Sequence, residues 1–141
     1  MVSESSATYL LDTSALFALI EDEPGAERVE ALLRSERVLL PFLVGLETYY
    51  VTLQEQSQEE AAQRLSLIRQ LPATWLDRVS DQVLILAGNF KARHRISLAD
   101  ALIAAFAREN GAILVHKDPE FEALGGQVNQ ERLPYKVPGV Q

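Results

Sequence analysis

The chain contains no cysteine. Disulfides, zinc–thiolate centres and thiol nucleophiles are therefore excluded, and a reducing compartment suits it. It also lacks any excess of positive charge: 13 Lys and Arg stand against 20 Asp and Glu, for a net charge of −7 and a pI near 4.8. A broadly basic nucleic-acid footprint is thereby excluded, so a polyanionic partner has to be met by metal ions and a local basic patch. Long hydrophobic runs are missing as well. The longest nearly apolar one, Leu98 to Ala107, is too short to cross a bilayer and carries Asp100 within it. Met1 to Ala7 has no basic segment, so no signal peptide is readable, and the expectation is a cytoplasmic protein without membrane contact. Repeats, low-complexity tracts and linker-like shifts are absent. With only two histidines, His94 and His116, chemistry built on paired imidazoles has little to draw on.

What is present is ordinary globular material. The 141 residues, 48% hydrophobic and 23% charged, are expected to form one domain over 1–141 with a core that needs no covalent staple. Thr8 to Leu11 is a short apolar run ending at Asp12 and reads as a buried strand. Helical patterns follow over Thr13–Asp22 and from Pro24, placed in the first turn of the second helix, to Ser35. Val38–Leu40 reads as strand, then Leu43–Gln54 and Gln58–Gln70 as helices, and Thr74–Val79 as strand. Ser80 caps a helix to Arg93, and Ser97 caps another that stops at Asn110-Gly111. Ala112–His116 and Val128–Leu133 complete the strands. Strands separated by helices require crossover connections, hence an α/β fold with a short parallel sheet of four to five strands and helices on both faces.

Most of the acidic residues fall in polar stretches and read as solvated surface. Four do not. Asp100 lies in Leu98-Ala-Asp-Ala-Leu-Ile-Ala-Ala-Phe-Ala107, a helix apolar nearly all round, where an isolated carboxylate costs several kcal/mol unless paired or metal-bound. Ser97-x-x-Asp100 also has the spacing of a capping box, so cap and ligand are both open for it. Glu47 falls between Tyr50 and Val51 on the helical wheel, one turn from Leu43, which puts it in the apolar stripe; its alternative is a buried ion pair with an arginine. Asp12 and Asp118 each end an apolar strand and precede a helical pattern. Each suits an N-cap, Asp118 with Pro119 at the first helical position. Strand C-termini are also where open parallel sheets bind ligands. Were these acids to converge, hard oxygen donors without cysteine or paired histidine select Mg²⁺ or Mn²⁺ over zinc.

Leu10-Leu-Asp-Thr-Ser-Ala-Leu16, Glu47, Ser97-Leu-Ala-Asp-Ala-Leu-Ile-Ala-Ala104 and Ile113-Leu-Val-His-Lys-Asp-Pro-Glu-Phe121 together resemble the PIN domain. More narrowly, they resemble the VapC toxin ribonucleases of bacterial and archaeal toxin–antitoxin pairs. Order and spacing match over nearly the whole chain; the Ser-x-x-Asp helix followed by strand-Asp-x-x-Phe is the specific part. The resemblance implies a PIN-like sandwich and a metal-dependent endoribonuclease. It implies that Asp12, Glu47, Asp100 and Asp118 hold one or two Mg²⁺ or Mn²⁺ ions, supported by Ser14 and Ser97, with Glu120 just behind them. One position departs from the pattern: His116 stands where the family has Thr or Ser, whose hydroxyl commonly helps hold the last acid, and it reads as a structural substitute rather than a catalytic base. The resemblance further implies a homodimer and a small antitoxin protein covering the active-site groove. Leu32, Leu33, Leu39 and the Tyr49-Tyr50 pair are the apolar surplus available for assembly.

Cations that could meet an RNA backbone are few: Lys91, Arg93 and Arg95 around His94, and Lys117 beside Asp118. They read equally as the solvated end of a helix, where positive charge favours the macrodipole. A haloacid-dehalogenase-like phosphatase wants a second Asp two residues after Asp12, but that residue is Ser14; a receiver domain wants an acidic pair at the first strand, and Asp12 stands alone. The remaining rival is a PIN-like module that binds RNA or a partner without cutting.

Overall fold

The computed structural model describes residues 7–136. Five parallel strands form one sheet in the order β3-β2-β1-β4-β5. The strands are β1 (Thr8–Leu11), β2 (Arg37–Pro41), β3 (Thr74–Leu76), β4 (Ile113–His116) and β5 (Gln130–Arg132). The helices are α1 (Thr13–Ile20), α2 (Ala26–Ser35), α3 (Phe42–Glu55), α4 (Gln58–Arg69), α5 (Asp81–Arg93) and α6 (Leu98–Glu109), with a 3-10 segment over Pro119–Gln127. The expected α/β class, strand number and parallel pairing are all present.

Alternation along the strands divides the core in two. Leu10, Leu39 and Leu114 point to one face, beneath α5, α6 and the 3-10 segment. Leu11, Leu40 and Val115 point to the other, against α1, α2, α3 and α4. Period-two side-chain alternation sends neighbouring residues to opposite faces, and both faces are covered, which is why these strands read as continuous apolar runs.

Some boundaries and assignments differ from the expectations above. The third strand stops at Leu76 and the fifth covers only Gln130–Arg132, because both lie at sheet edges with a partner on one side. Pro24 is outside α2, which starts at Ala26 behind Gly25 in the left-handed region (φ 104°). The buried line of α3 is Val44, Gly45, Thr48 and Thr52, not the Leu43–Glu47–Tyr50 line, so Glu47 is only half-buried. Leu32, Leu33 and Leu39 are core residues, at most 7% exposed, and offer nothing for assembly; the exposed apolar residues of α3 are Leu46, Tyr50 and Leu53. Among the described residues no helix is long and apolar enough to cross a membrane.

The sheet order sets the position of the site. From β1 the chain moves outward to β2 and β3, then returns to the other side of β1 for β4 and β5. The order therefore reverses between β1 and β4, and the crevice at the carboxyl ends of those two strands is where open α/β sheets bind ligands. Asp12 follows β1 and Asp118 follows β4 by two residues.

Candidate metal centre

Asp12 is the N-cap of α1: its Oδ1 accepts from the Ala15 amide at 2.8 Å, and the Ser14 hydroxyl lies 2.7 and 2.8 Å from its two oxygens. Ser14 Oγ in turn accepts from the Lys117 amide at 2.8 Å, so one hydroxyl links the ends of β1 and β4. Asp118 caps the 3-10 segment through the Glu120 amide at 2.9 Å. Both aspartates are thus caps, as their sequence positions suggested, and both face the same crevice. Capping uses one oxygen lone pair of each carboxylate, and on Asp12 the Ser14 hydroxyl occupies another.

Asp100 settles the capping-box question in an unexpected way. Ser97 Oγ accepts from the Asp100 amide at 3.1 Å, which is the first half of a box. The second half is not made by Asp100: the Ser97 amide donates to Glu120 instead. A glutamate from the 3-10 segment does the work of the box's own acid, and the Asp100 carboxyl, on a residue only 8% exposed, turns into the cluster. Asp100, Asp118 and Glu120 each present an oxygen within 4.8 Å of the others. Glu47 accepts a short hydrogen bond from the Thr13 hydroxyl at the start of α1. Among the described residues none of these five acids forms an ion pair with a lysine or arginine, which removes the buried-salt-bridge alternative for Glu47.

The electrostatics follow from acids crowded without cations. Burial pushes the Asp12 carboxyl up to about 7, with hydrogen bonds from Ala15 and Ser14 pulling the other way and the charges of Asp118 and Glu47 adding to the rise. Burial also raises Asp100, to about 9, reinforced by the charge of Asp118, a hydrogen bond with it, and the charges of Asp12 and Glu120. The charges of Asp118 and Glu47 bear on Asp12, and those of Asp118, Asp12 and Glu120 on Asp100; among the described residues the group close enough to share one ion is Asp100, Asp118 and Glu120, without Asp12 or Glu47. Sequence reasoning set Glu120 behind the four; the structure sets it beside two of them, Asp100 and Asp118.

His116 is 1% exposed and packed against Phe121, ring centroids 4.9 Å apart and ring planes tilted by 51°. Its Nδ1 accepts from the Asp118 amide at 3.1 Å and its Nε2 lies 2.8 Å from Gln130 Oε1. Burial holds this imidazole below its usual value, against the raising effects of Gln130 and Asp118. With both ring nitrogens engaged it offers no lone pair to a metal.

The basic residues divide. Lys117, expected as a candidate RNA contact, is 8% exposed and spends its ammonium on Pro24 O at 2.8 Å and Glu23 at 3.5 Å. Lys91 pins the α5–α6 link by donating to Ile96 O at 2.9 Å. Arg93 and Arg95 are exposed on that same link, which leads to Ser97 and hence to Glu120. On the other flank a cleft of about 460 Å³ opens beside Ser14 and Asp118, walled by Phe17, Val51 and Tyr135 with Glu21 and Glu55 at hand.

This is an α/β domain with an all-oxygen acid cluster at its topological switch point. Residues 9–127 match the family model of the PIN domain, and the chain belongs to that family. Comparison with curated protein sequences returns no match. Among solved structures, VapBC2 from Rickettsia felis bound to a DNA fragment from their promoter is similar at 20% identity and a TM-score of 0.74, covering 89% of this chain and 98% of that one. VapBC-1 from nontypeable Haemophilus influenzae is similar at 23% identity and TM-score 0.70, covering 89% and 97%. VapC20 from Mycobacterium tuberculosis, a Sarcin-Ricin loop cleaving toxin, is similar at 21% identity and TM-score 0.67, covering 83% and 95%. These likenesses establish the fold.

Proposed function

We propose that the protein is a Mg²⁺- or Mn²⁺-dependent endoribonuclease, the toxin of a toxin–antitoxin pair. The observation that carries the reading is the Asp100–Asp118–Glu120 trio, oxygens within 4.8 Å of one another, with the charge of Asp12 bearing on Asp100 and that of Glu47 on Asp12. Two ligands on one ion at bond lengths of roughly 2.0–2.6 Å cannot be more than about 5 Å apart, and the trio meets that limit. The donor set is carboxylate oxygen alone, which fits a hard dication, and the raised carboxyls of Asp12 and Asp100 are what such a site shows when protons stand in for cation charge.

Asp12, Glu47, Asp100 and Asp118 would hold the metal, with Glu120 at its edge. When bound, Mg²⁺ or Mn²⁺ supplies Lewis acidity at a phosphoryl oxygen and a water of lowered pKa. The chain's own residues orient and exclude. Ser14 fixes both oxygens of Asp12, Thr13 fixes Glu47, and His116 fixes the backbone at Asp118. Arg93 and Arg95 would meet the RNA backbone, the local patch that a chain of net charge −7 requires. The cleft beside Asp118 would be covered by the antitoxin. The likeness to VapBC2 and VapBC-1 supports that partner, and a homodimer in a cytoplasmic setting completes the proposal.

The test is cleavage of RNA by purified protein with Mn²⁺, with Mg²⁺ and with EDTA, beside Asp100→Asn. Metal-dependent scission by wild type alone supports the reading. RNA binding without scission by either protein replaces it with a non-catalytic binding module.

A further inference from the structure

We infer that Gln130, on the edge strand β5, is a positioning residue that acts through His116 to fix the Asp118 arm of the metal centre; this rests on the metal-site reading above. Three contacts of one side chain carry it. Gln130 Nε2 donates to the carbonyls of Phe121 and Gly125, each at 3.1 Å. An amide with its nitrogen committed to two carbonyl oxygens must present its oxygen to the remaining neighbour, which is His116 Nε2 at 2.8 Å. Flipping the amide would set its oxygen against both carbonyls. Gln130 Oε1 is therefore an acceptor, and His116 carries its proton on Nε2.

That tautomer leaves a lone pair on Nδ1, and the Asp118 amide donates to it at 3.1 Å. The opposite tautomer would face Asp118 N–H with another N–H. Gln130 thus decides which ring nitrogen can hold the residue whose carboxylate is in the trio. It also ties down Phe121 and Gly125, one near each end of the segment that carries Glu120. Histidine ring orientation at metal sites is commonly governed by such a hydrogen bond on the far nitrogen, and losing it costs roughly 10-fold to 100-fold in metal affinity. Here the imidazole holds the ligand's backbone rather than the metal. The device suits the position, since a hydroxyl two residues ahead of an amide can accept from it unaided, whereas an imidazole does so only in one tautomer.

The experiment uses wild type, Gln130→Leu, His116→Ser and the double variant. Mn²⁺ affinity is measured by titration calorimetry, and the His116 ring tautomer by ¹⁵N NMR of metal-free protein. Wild type is expected to show the Nε2–H tautomer, and Gln130→Leu a mixture with Mn²⁺ binding roughly 10-fold or more weaker. In the His116→Ser background the serine hydroxyl accepts from Asp118 by itself, so Gln130→Leu should there change Mn²⁺ affinity less than about twofold. Wild-type affinity in Gln130→Leu overturns the role. So does an equal loss in both backgrounds, which would mean that Gln130 acts only through the Phe121–Gly125 turn. An Nδ1–H tautomer in wild type overturns it without any variant. Wild type that binds no Mn²⁺ removes the metal reading of the site and this role with it, an outcome distinct from intact binding that ignores Gln130.

Discussion

At Asp100 the same burial that makes a ligand makes a liability. In metal-free protein its carboxyl is lifted to about 9 and that of Asp12 to about 7, from an ordinary 3.8. The folded state then holds these protons more tightly than the unfolded chain does. The stabilisation from that difference is fully present below about pH 4 and drains away as pH rises through 7 and then 9. In EDTA the melting temperature should therefore fall steadily from pH 5 to pH 9. Asp100→Asn removes one of the titrating groups, so its curve should be flatter. At pH 7.5 without metal it should be more stable than wild type by on the order of 1 kcal/mol or more, one pKa unit of relief being worth about 1.4 kcal/mol. Mn²⁺ should raise the wild-type melting temperature by mass action and the variant's far less, and RNA cleavage should vanish in the variant. A variant that melts lower than wild type in EDTA, beside a wild type indifferent to Mn²⁺, would make Asp100 a helix-capping residue and nothing more.

At the scale of elements, the strands and helices were legible because their apolar period was strong, and so were the acids that broke that period. Asp100 stands out inside an apolar helix, and Asp12 and Asp118 stand out at strand ends. What escaped were partners set by tertiary contact. Gln130 lies in a polar stretch before Glu131 and Arg132, with no period to mark it, and its role exists only because β5 lies beside β4. Glu120 was seen, but its bond to the Ser97 amide joins residues 23 apart in sequence, and no local rule finds such a pair. Glu47 was misjudged because the wheel of α3 carries apolar residues nearly all round, leaving the buried line to be fixed by packing on the sheet. Two substitutions probe that packing. Thr48 sits fully buried on α3 with a hydroxyl that has no hydrogen-bond partner among the described residues. Thr48→Val keeps the shape and removes the orphan group, so urea denaturation should show a gain of up to about 1 kcal/mol; a loss would reveal a partner for the hydroxyl. Gly25, between α1 and α2, has φ 104°, and a Cβ there would meet Leu133 Cδ1 at 3.1 Å. Gly25→Ala strains the backbone and presses on the segment after β5 together, and should cost roughly 1–3 kcal/mol in the same assay. A change under about 0.5 kcal/mol would mean that the α1–α2 turn relaxes freely.

At the scale of the whole molecule, a net charge of −7 must still admit a polyanion. The long-range field opposes RNA, so binding has to rest on a few local cations and the metal. Arg93 and Arg95 are the exposed pair nearest in sequence to Ser97, and among the described residues neither is committed to an ion pair. Lys117 and Lys91 are already engaged with the protein. A site with about two phosphate contacts releases few counterions, and single-stranded RNA then gives a slope of log affinity against log salt of roughly −1.4, at about −0.7 per contact. Proteins that track a backbone with six or more cations show slopes several times steeper. Salt also screens the protein's own negative field, which works in favour of RNA and makes the net slope shallower still. Fluorescence anisotropy of a labelled single-stranded RNA with Asp100→Asn, at constant Mg²⁺ and varied KCl, measures this directly. Replacing Arg93 and Arg95 together by Gln should bring the slope close to zero and weaken binding at low salt by about tenfold, while Lys91→Gln should leave the slope unchanged. A steep slope in the parent that survives loss of both arginines would place the RNA on another face of the molecule, and the link between α5 and α6 would then be only the charged end of a helix.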